Sequence, residues 1–164
     1  SFSHGFDTTG IQFDEHGSYK PTWQPSYYSK VFNTKAQCLI KQYNRFKNRE
    51  FSVNGTLTLG ENIADTIGIR VAYNAFLKNI GGLDKLRQAS SVNNLTSEQL
   101  FFVAFAQRWC QKDTREYTLR NINDPHTTSG ARVNGSVQNM REFSEAFKCP
   151  PNLPNNPTNK CRLL

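Results

Sequence analysis

Apolar residues recur at helical intervals along most of this chain and nowhere alternate convincingly, so the chain is expected to be mainly α with little or no sheet. From Ser26 to about Phe51, Val31, Ala36, Leu39, Ile40, Tyr43 and Phe46 fall at spacings that share one buried face. Asn54-Gly55 marks a turn. A second helix is expected from about Leu59 to Asn79, with Ile63, Ile67, Val71, Ala75 and Phe76 inward and Gly81-Gly82 at its end. Thr58 with Glu61, and Thr96 with Gln99, read as capping boxes. The stretch Leu100–Cys110 is apolar nearly all round, which predicts a central core helix. A shorter helix is expected over 114–123, a loop over Asp124–Gly130, and a last helix through Phe147 capped by Asn139 with Glu142. Residues 5–25 read as loop and turns, and the tail from Pro150 holds four of the seven prolines.

A length of 164 residues suits one domain, 1–164, with an ordinary core. No apolar run reaches the roughly 18 residues that a membrane helix needs. Lys and Arg number 20 against 13 Asp and Glu, a net charge of +7. Lys35, Lys41, Arg45, Lys47 and Arg49 concentrate that charge on one expected helix, most simply as a solvated face. A polyanion-binding patch is the sharper alternative, but no aromatic-basic motif supports nucleic acid as a partner.

Four cysteines, Cys38, Cys110, Cys149 and Cys161, contain no C-x-x-C pair, which argues against a zinc ribbon and leaves three disulfide pairings open. Asn54, Asn94 and Asn134 each begin an N-x-S/T sequon, whereas Asn156 is followed by proline. An even cysteine count with three candidate glycosylation sites points to a secreted, extracellular protein. The polar pairs His4 with Asp7, Glu61 with Asp65, and His126 with Arg132 stand out. Glu61 and Asp65, four apart, share a helix face. A carboxylate there can ligate a metal, and one a turn away can orient a ligand histidine. The plainer readings are a helix cap for Glu61 and a solvated side chain for Asp65.

Six motifs occur in order: S-H-G-F-D (Ser3–Asp7), G-E-N-I-A-D (Gly60–Asp65), F-F-x-x-F-A-Q-x-W-C (Phe101–Cys110), D-x-H (Asp124–His126), F-S-E-A-F-x-C (Phe143–Cys149) and N-P-x-x-K-C-R (Asn156–Arg162). On these the sequence resembles, over essentially its whole length, the C-terminal part of the neprilysin/endothelin-converting-enzyme family of zinc endopeptidases. The resemblance implies a helical subdomain of a gluzincin fold. It makes His4 the second histidine of the H-E-x-x-H zinc helix and Glu61 the third metal ligand. It makes Asp65 a carboxylate that holds a ligand histidine, His126 the oxyanion-stabilising residue, and Arg132 the residue that binds substrate carbonyls. It also implies a Cys38–Cys161 disulfide. The family partners of Cys110 and Cys149 are absent from this sequence, so these two are expected to be free, paired together, or bonded to another chain.

Departures from the family pattern bear on activity. Ser1 stands where the family has its general-base glutamate, and the first zinc histidine would precede Ser1. Ile11 replaces an Arg, Ile67 a Gly, and Leu163-Leu164 an end that is usually Trp. The N-A-x-Y substrate strand, which adds an extended peptide to a sheet edge in the family, has no counterpart here. The expectation is therefore a non-catalytic, secreted member of the family, with an incomplete zinc site that holds zinc weakly or not at all, acting by binding a protein or peptide partner. The alternative is the C-terminal portion of an active zinc endopeptidase that cleaves small peptides and is completed by residues outside this chain.

Overall fold

The computed structural model describes residues 2–47, 50–88, 91–92 and 94–163; Ser1, Arg49 and Leu164, on which expectations were placed, lie outside the described residues. Two 3-10 turns, Phe2–Phe6 and Gly10–Gln12, open the fold. Seven α-helices follow among the described residues: α1 Ser26–Tyr43, α2 Leu59–Ile80, α3 Leu83–Gln88, α4 Ser97–Gln107, α5 Arg115–Arg120, α6 Ser129–Val137 and α7 Arg141–Ala146. Strand-like pairing among them is confined to isolated bridges such as Lys47–Ser52.

Helix α2 is the axis, 22 residues and about 33 Å long. It packs against the Phe2–Phe6 turn, α1, α3 and α6. Its C-cap, Gly81, sits at φ 89°, a left-handed position that suits glycine. Ile63 and Ile67 are buried as expected, but Val71 and Ala75 face solvent, and Ile69 and Tyr73 take the core positions. A strict step of four gains about 40° per step on a helix of 3.6 residues per turn, so the 63-67-71-75 series rotates off the buried face. The Thr58 cap does not form either. The Thr58 hydroxyl donates to Asn54 O (2.9 Å) and accepts from Asn62 Nδ2 (2.8 Å), which leaves Glu61 free of capping. The Thr96–Gln99 box at α4 is complete in both directions.

Helix α1 stops at Tyr43 rather than near Phe51. Asn44 turns the chain and its side-chain oxygen accepts from Gly55 N (2.7 Å). Arg45 and Lys47 therefore lie beyond the helix that carries Lys35 and Lys41. Of α1, Ala36, Leu39, Gln42 and Tyr43 are buried.

The core has two clusters. Leu39, Tyr43, Val53, Ile63, Ile67, Ala131, Cys161 and Leu163 form one; Ile69, Tyr73, Phe102, Val137 and Met140 form the other, rimmed by Phe101, Phe143 and Phe147. Each fully buried large side chain contributes on the order of 1.5–3 kcal/mol. Phe102 packs against Tyr73, Phe143 and Phe147 with ring centroids 5.7, 5.3 and 6.4 Å away. Only Phe102 of α4 is buried, so α4 is a flank of the core rather than its centre; α6, α7 and the Tyr73 and Phe76 rings of α2 meet it and leave its other sides half-open.

Ser129 and Gly130, expected in a loop, open α6. Gly135 of α6 lies so close to α1 that a Cβ there would sit 2.3 Å from Tyr43 Cζ. Asn139 does not cap α7, whose N-cap is Met140. It is a buried polar junction instead. Its amide exchanges hydrogen bonds with Gln42 (3.0 and 2.8 Å), and its side-chain oxygen also accepts from Cys161 N (2.8 Å). The Cys38–Cys161 disulfide fastens the tail to α1 across 123 residues, and Cys110 and Cys149 are free. No described helix is long and apolar enough to cross a membrane.

Candidate metal and substrate site

The first 3-10 turn ends on Asp7, a carboxylate with a dense set of donors. Its Oδ1 accepts from Thr9 N and Gly10 N, and its Oδ2 from His4 Nδ1, each at 2.8 Å. Burial pushes this carboxyl up, but the Gly10 amide, the His4 ring and the Thr9 amide outweigh it, and the group is held below the usual carboxylate range. With Nδ1 on Asp7, His4 turns Nε2 toward α2, where Glu61 Oε1 lies 3.8 Å away.

Glu61 has a second histidine neighbour. His126 Nε2 is 3.2 Å from Glu61 Oε2. His126 is fixed by Asp124, whose Oδ1 accepts from the His126 backbone N–H (2.7 Å) and from ring Nδ1 (2.8 Å). Those same bonds hold the Asp124 carboxyl below its ordinary range. Arg132, on the first turns of α6, meets α2 sidelong. It donates to Asp65 through Nε (2.6 Å) and Nη2 (2.8 Å), and Nη2 lies 3.6 Å from Glu61 Oε2. The Trp109 ring, just past α4, stacks on the other side of the guanidinium at 3.9 Å. The cluster borders a cavity of about 280 Å³ lined by His126, Arg132 and Trp109.

The fold thus brings His4, Glu61, Asp65, His126 and Arg132 together from segments far apart in sequence. Asp65 faces Arg132 rather than a histidine, while His4 is held by Asp7 and His126 by Asp124. Two features that sequence reasoning passed over complete the site: Asp124, two residues before His126, and Trp109, inside a quoted motif but given no role.

His4 suits a metal in its donor chemistry, because a carboxylate on Nδ1 leaves Nε2 to coordinate. Two ligands on a tetrahedral zinc stand about 3.3 Å apart, close to the His4–Glu61 separation. Beyond this pair, no group of three or more His, Cys, Asp or Glu among the described residues is placed to hold a metal ion. The residues present fit part of a zinc site rather than a whole one.

Of the sequons, Asn54 and Asn94 are exposed in turns, whereas Asn134 lies within α6 and donates to Gly130 O (2.9 Å).

The fold of this helical unit is shared with a known zinc metalloprotease. Peptidase family M13 matches residues 1–163. The chain is 48% identical over 166 residues to neprilysin-1 of Caenorhabditis elegans, covering 97% of this chain and 22% of that protein. It is 41% identical over 162 residues to endothelin-converting enzyme 1 of Mus musculus, covering 98% of this chain and 21% of that protein. Among solved structures it is similar to a zinc metalloprotease of Mycobacterium tuberculosis in complex with an inhibitor, with a TM-score of 0.85 at 29% identity over 98% of this chain and 25% of that one. It is also similar to a galactose-containing glycoprotein complex of Haemonchus, with a TM-score of 0.82 at 30% identity over 100% of this chain and 26% of that one. The chain belongs to peptidase family M13, the family of neprilysin and endothelin-converting enzyme. It spans about a fifth of the length of these curated relatives.

Proposed function

We propose that this chain carries the metal-facing and carbonyl-facing half of a neprilysin-like centre and binds a peptide or protein partner without cleaving it at a peptidase's rate. The observation that carries the reading is the convergence of His4 and His126 on the two oxygens of Glu61. His4 and Glu61 are two donors for zinc. His126 and Arg132 are hydrogen-bond donors for a carbonyl oxygen or the oxyanion it becomes. The general base is what the motif lacks: Ser1 occupies its position, and a hydroxyl does not take a proton from a zinc-bound water near neutral pH as a carboxylate does.

The alternative is a portion of an active zinc endopeptidase that cleaves small peptides and is completed by residues outside this chain. The stack of Trp109, Arg132 and Asp65, intact and orderly, favours it. Metal analysis and zinc titration calorimetry on the chain and on His4→Ala and Glu61→Ala, run beside hydrolysis of a quenched fluorescent peptide, separate the two. Weak zinc binding lost in both variants, with no chelator-sensitive cleavage, is the expected outcome. Chelator-sensitive cleavage abolished by His126→Ala overturns the non-catalytic reading, and zinc indifference of the chain and of both variants removes the metal role of His4 and Glu61.

The same proposal makes the protein extracellular and glycosylated. Support comes from the disulfide, which suits an oxidising compartment, and from the exposed turns at Asn54 and Asn94. Peptide mapping after expression through a secretory pathway is expected to find glycan on Asn54 and Asn94 and bare Asn134. The exposed thiol of Cys110 offers a contact to a further chain.

A further inference from the structure

A second cavity shares no residue with the His4–Arg132 cluster. It is a groove of about 750 Å³ between the end of α1 and the proline-rich tail, bordered by the Cys38–Cys161 disulfide. Lys41, Arg45 and Phe46 line one side, Leu153 and Pro154 the other, and Gln138 lines it as well.

Three properties of this groove stand together. Its charge is one-sided: Lys41 and Arg45 are four residues apart and exposed, neither side chain has an ion-pair or hydrogen-bond partner among the described residues, and no Asp or Glu lines the groove. Its walls are partly apolar, through Phe46, Leu153 and Pro154. It also holds a stranded donor. Gln138 is only 8% exposed, and its side-chain nitrogen is buried without an acceptor. Folding has stripped water from that N–H₂ without replacing it, a cost that is removed where the side chain turns toward the groove and donates to an incoming carbonyl oxygen.

Each property selects a chemistry. Two uncompensated cations call for an anion. The apolar walls call for a hydrocarbon or aromatic neighbour to that anion. The buried amide calls for a neutral acceptor at a set place. An inorganic anion meets the first demand only, and a sulfated sugar brings no apolar group. A peptide with an acidic residue beside an apolar one meets all three. We infer that this groove binds an acidic peptide segment, its carboxylate between Lys41 and Arg45, a main-chain carbonyl on the Gln138 amide, and an apolar side chain against Phe46 and Leu153.

The probe is an acetylated, amidated hexapeptide with two glutamates flanking a leucine, with the same peptide carrying glutamines as control, titrated into the full chain and followed by ¹⁵N NMR. The expected result is movement of the Gln138 side-chain amide resonances. Affinity is expected to fall about tenfold or more in the Lys41→Glu/Arg45→Glu double variant and to weaken with added salt. Both substituted positions are exposed, so the variant is expected to keep the wild-type spectrum elsewhere. Equal binding of the glutamine peptide, an unmoved Gln138 amide at saturation, or undiminished binding by the double variant overturns the proposal. So does binding of a heparin-derived hexasaccharide at these residues with no binding of the peptide. None of these outcomes touches zinc, so failure here and failure of the metal-site reading are distinguishable.

Discussion

Arg132 grips Asp65 at two points, Nε to Oδ2 at 2.6 Å and Nη2 to Oδ1 at 2.8 Å, with both side chains only 13% exposed. This fork locks α6 to α2 and fixes where the guanidinium can present its remaining donors. Replacing Asp65 by Asn keeps the shape and removes the charge. The expected cost is about 2–3 kcal/mol, since a partly buried cation loses its partner. Urea unfolding of the wild type and Asp65→Asn measures it, and an unchanged midpoint would mean the pair is incidental.

Gly135 makes a sharper packing prediction. Gly135→Ala drives a methyl to 2.3 Å from the Tyr43 ring and is expected to destabilise by about 3 kcal/mol. Gly130→Ala, on the same helix with nothing within 4 Å of the added carbon, is expected to stabilise by about 0.5–1 kcal/mol. Opposite signs in two thermal melts confirm that the α1–α6 approach is the cause.

These glycines also explain what was hard to read in the sequence. Ser129–Val137 carries Gly130, Asn134 and Gly135, poor helix formers that tertiary packing overrides, so α6, which positions Arg132, was not anticipated as a helix. Helices α1, α2 and α4 were legible because their apolar spacing is strong and their lengths ample. The inward face of α2 was misplaced past Ile67 because a step of four was followed where the helix turns in steps of 3.6. Of the candidate site, the residues came from resemblance and their meeting came only from the fold. Asp124 and Trp109 went unassigned because nothing local marks a carboxylate that holds a ring two residues away, or an indole that will stack on an arginine more than twenty residues on.

The disulfide and the two lone cysteines predict a thiol count. Two reactive thiols are expected in the native chain and all four after reduction and unfolding. A Cys38→Ser/Cys161→Ser variant is expected to lose about 4–5 kcal/mol in the chain-entropy account of so long a loop. Thiol titration with calorimetric melts measures both, and four native thiols would refute the bond.

Asp14 supplies a pH signature away from the site. The Lys20 ammonium at 2.7 Å, then the Ser18 and His16 amides, hold its carboxyl below its ordinary value of 3.8. A carboxyl lowered in the folded state stabilises fully above its unfolded value, and that contribution is lost as pH falls through the folded one. The Ser18 amide resonance is expected to titrate with a midpoint below 3.8, and Lys20→Ala is expected to move the midpoint upward. A midpoint unchanged by that substitution would discard the lysine as the main cause.

The sulfur bridge from Cys38 to Cys161 makes most of the chain a covalent ring that encloses Glu61, His126 and Arg132 and leaves His4 outside. One peptide cut within the ring leaves its two ends shackled and those three side chains on a single molecule. A cut anywhere between Asp7 and Cys38 severs the tether of His4 instead. The histidine's hold on Glu61 then rests on how well the first turn sits on α2, so a protease can disarm half of the site while the rest stays whole.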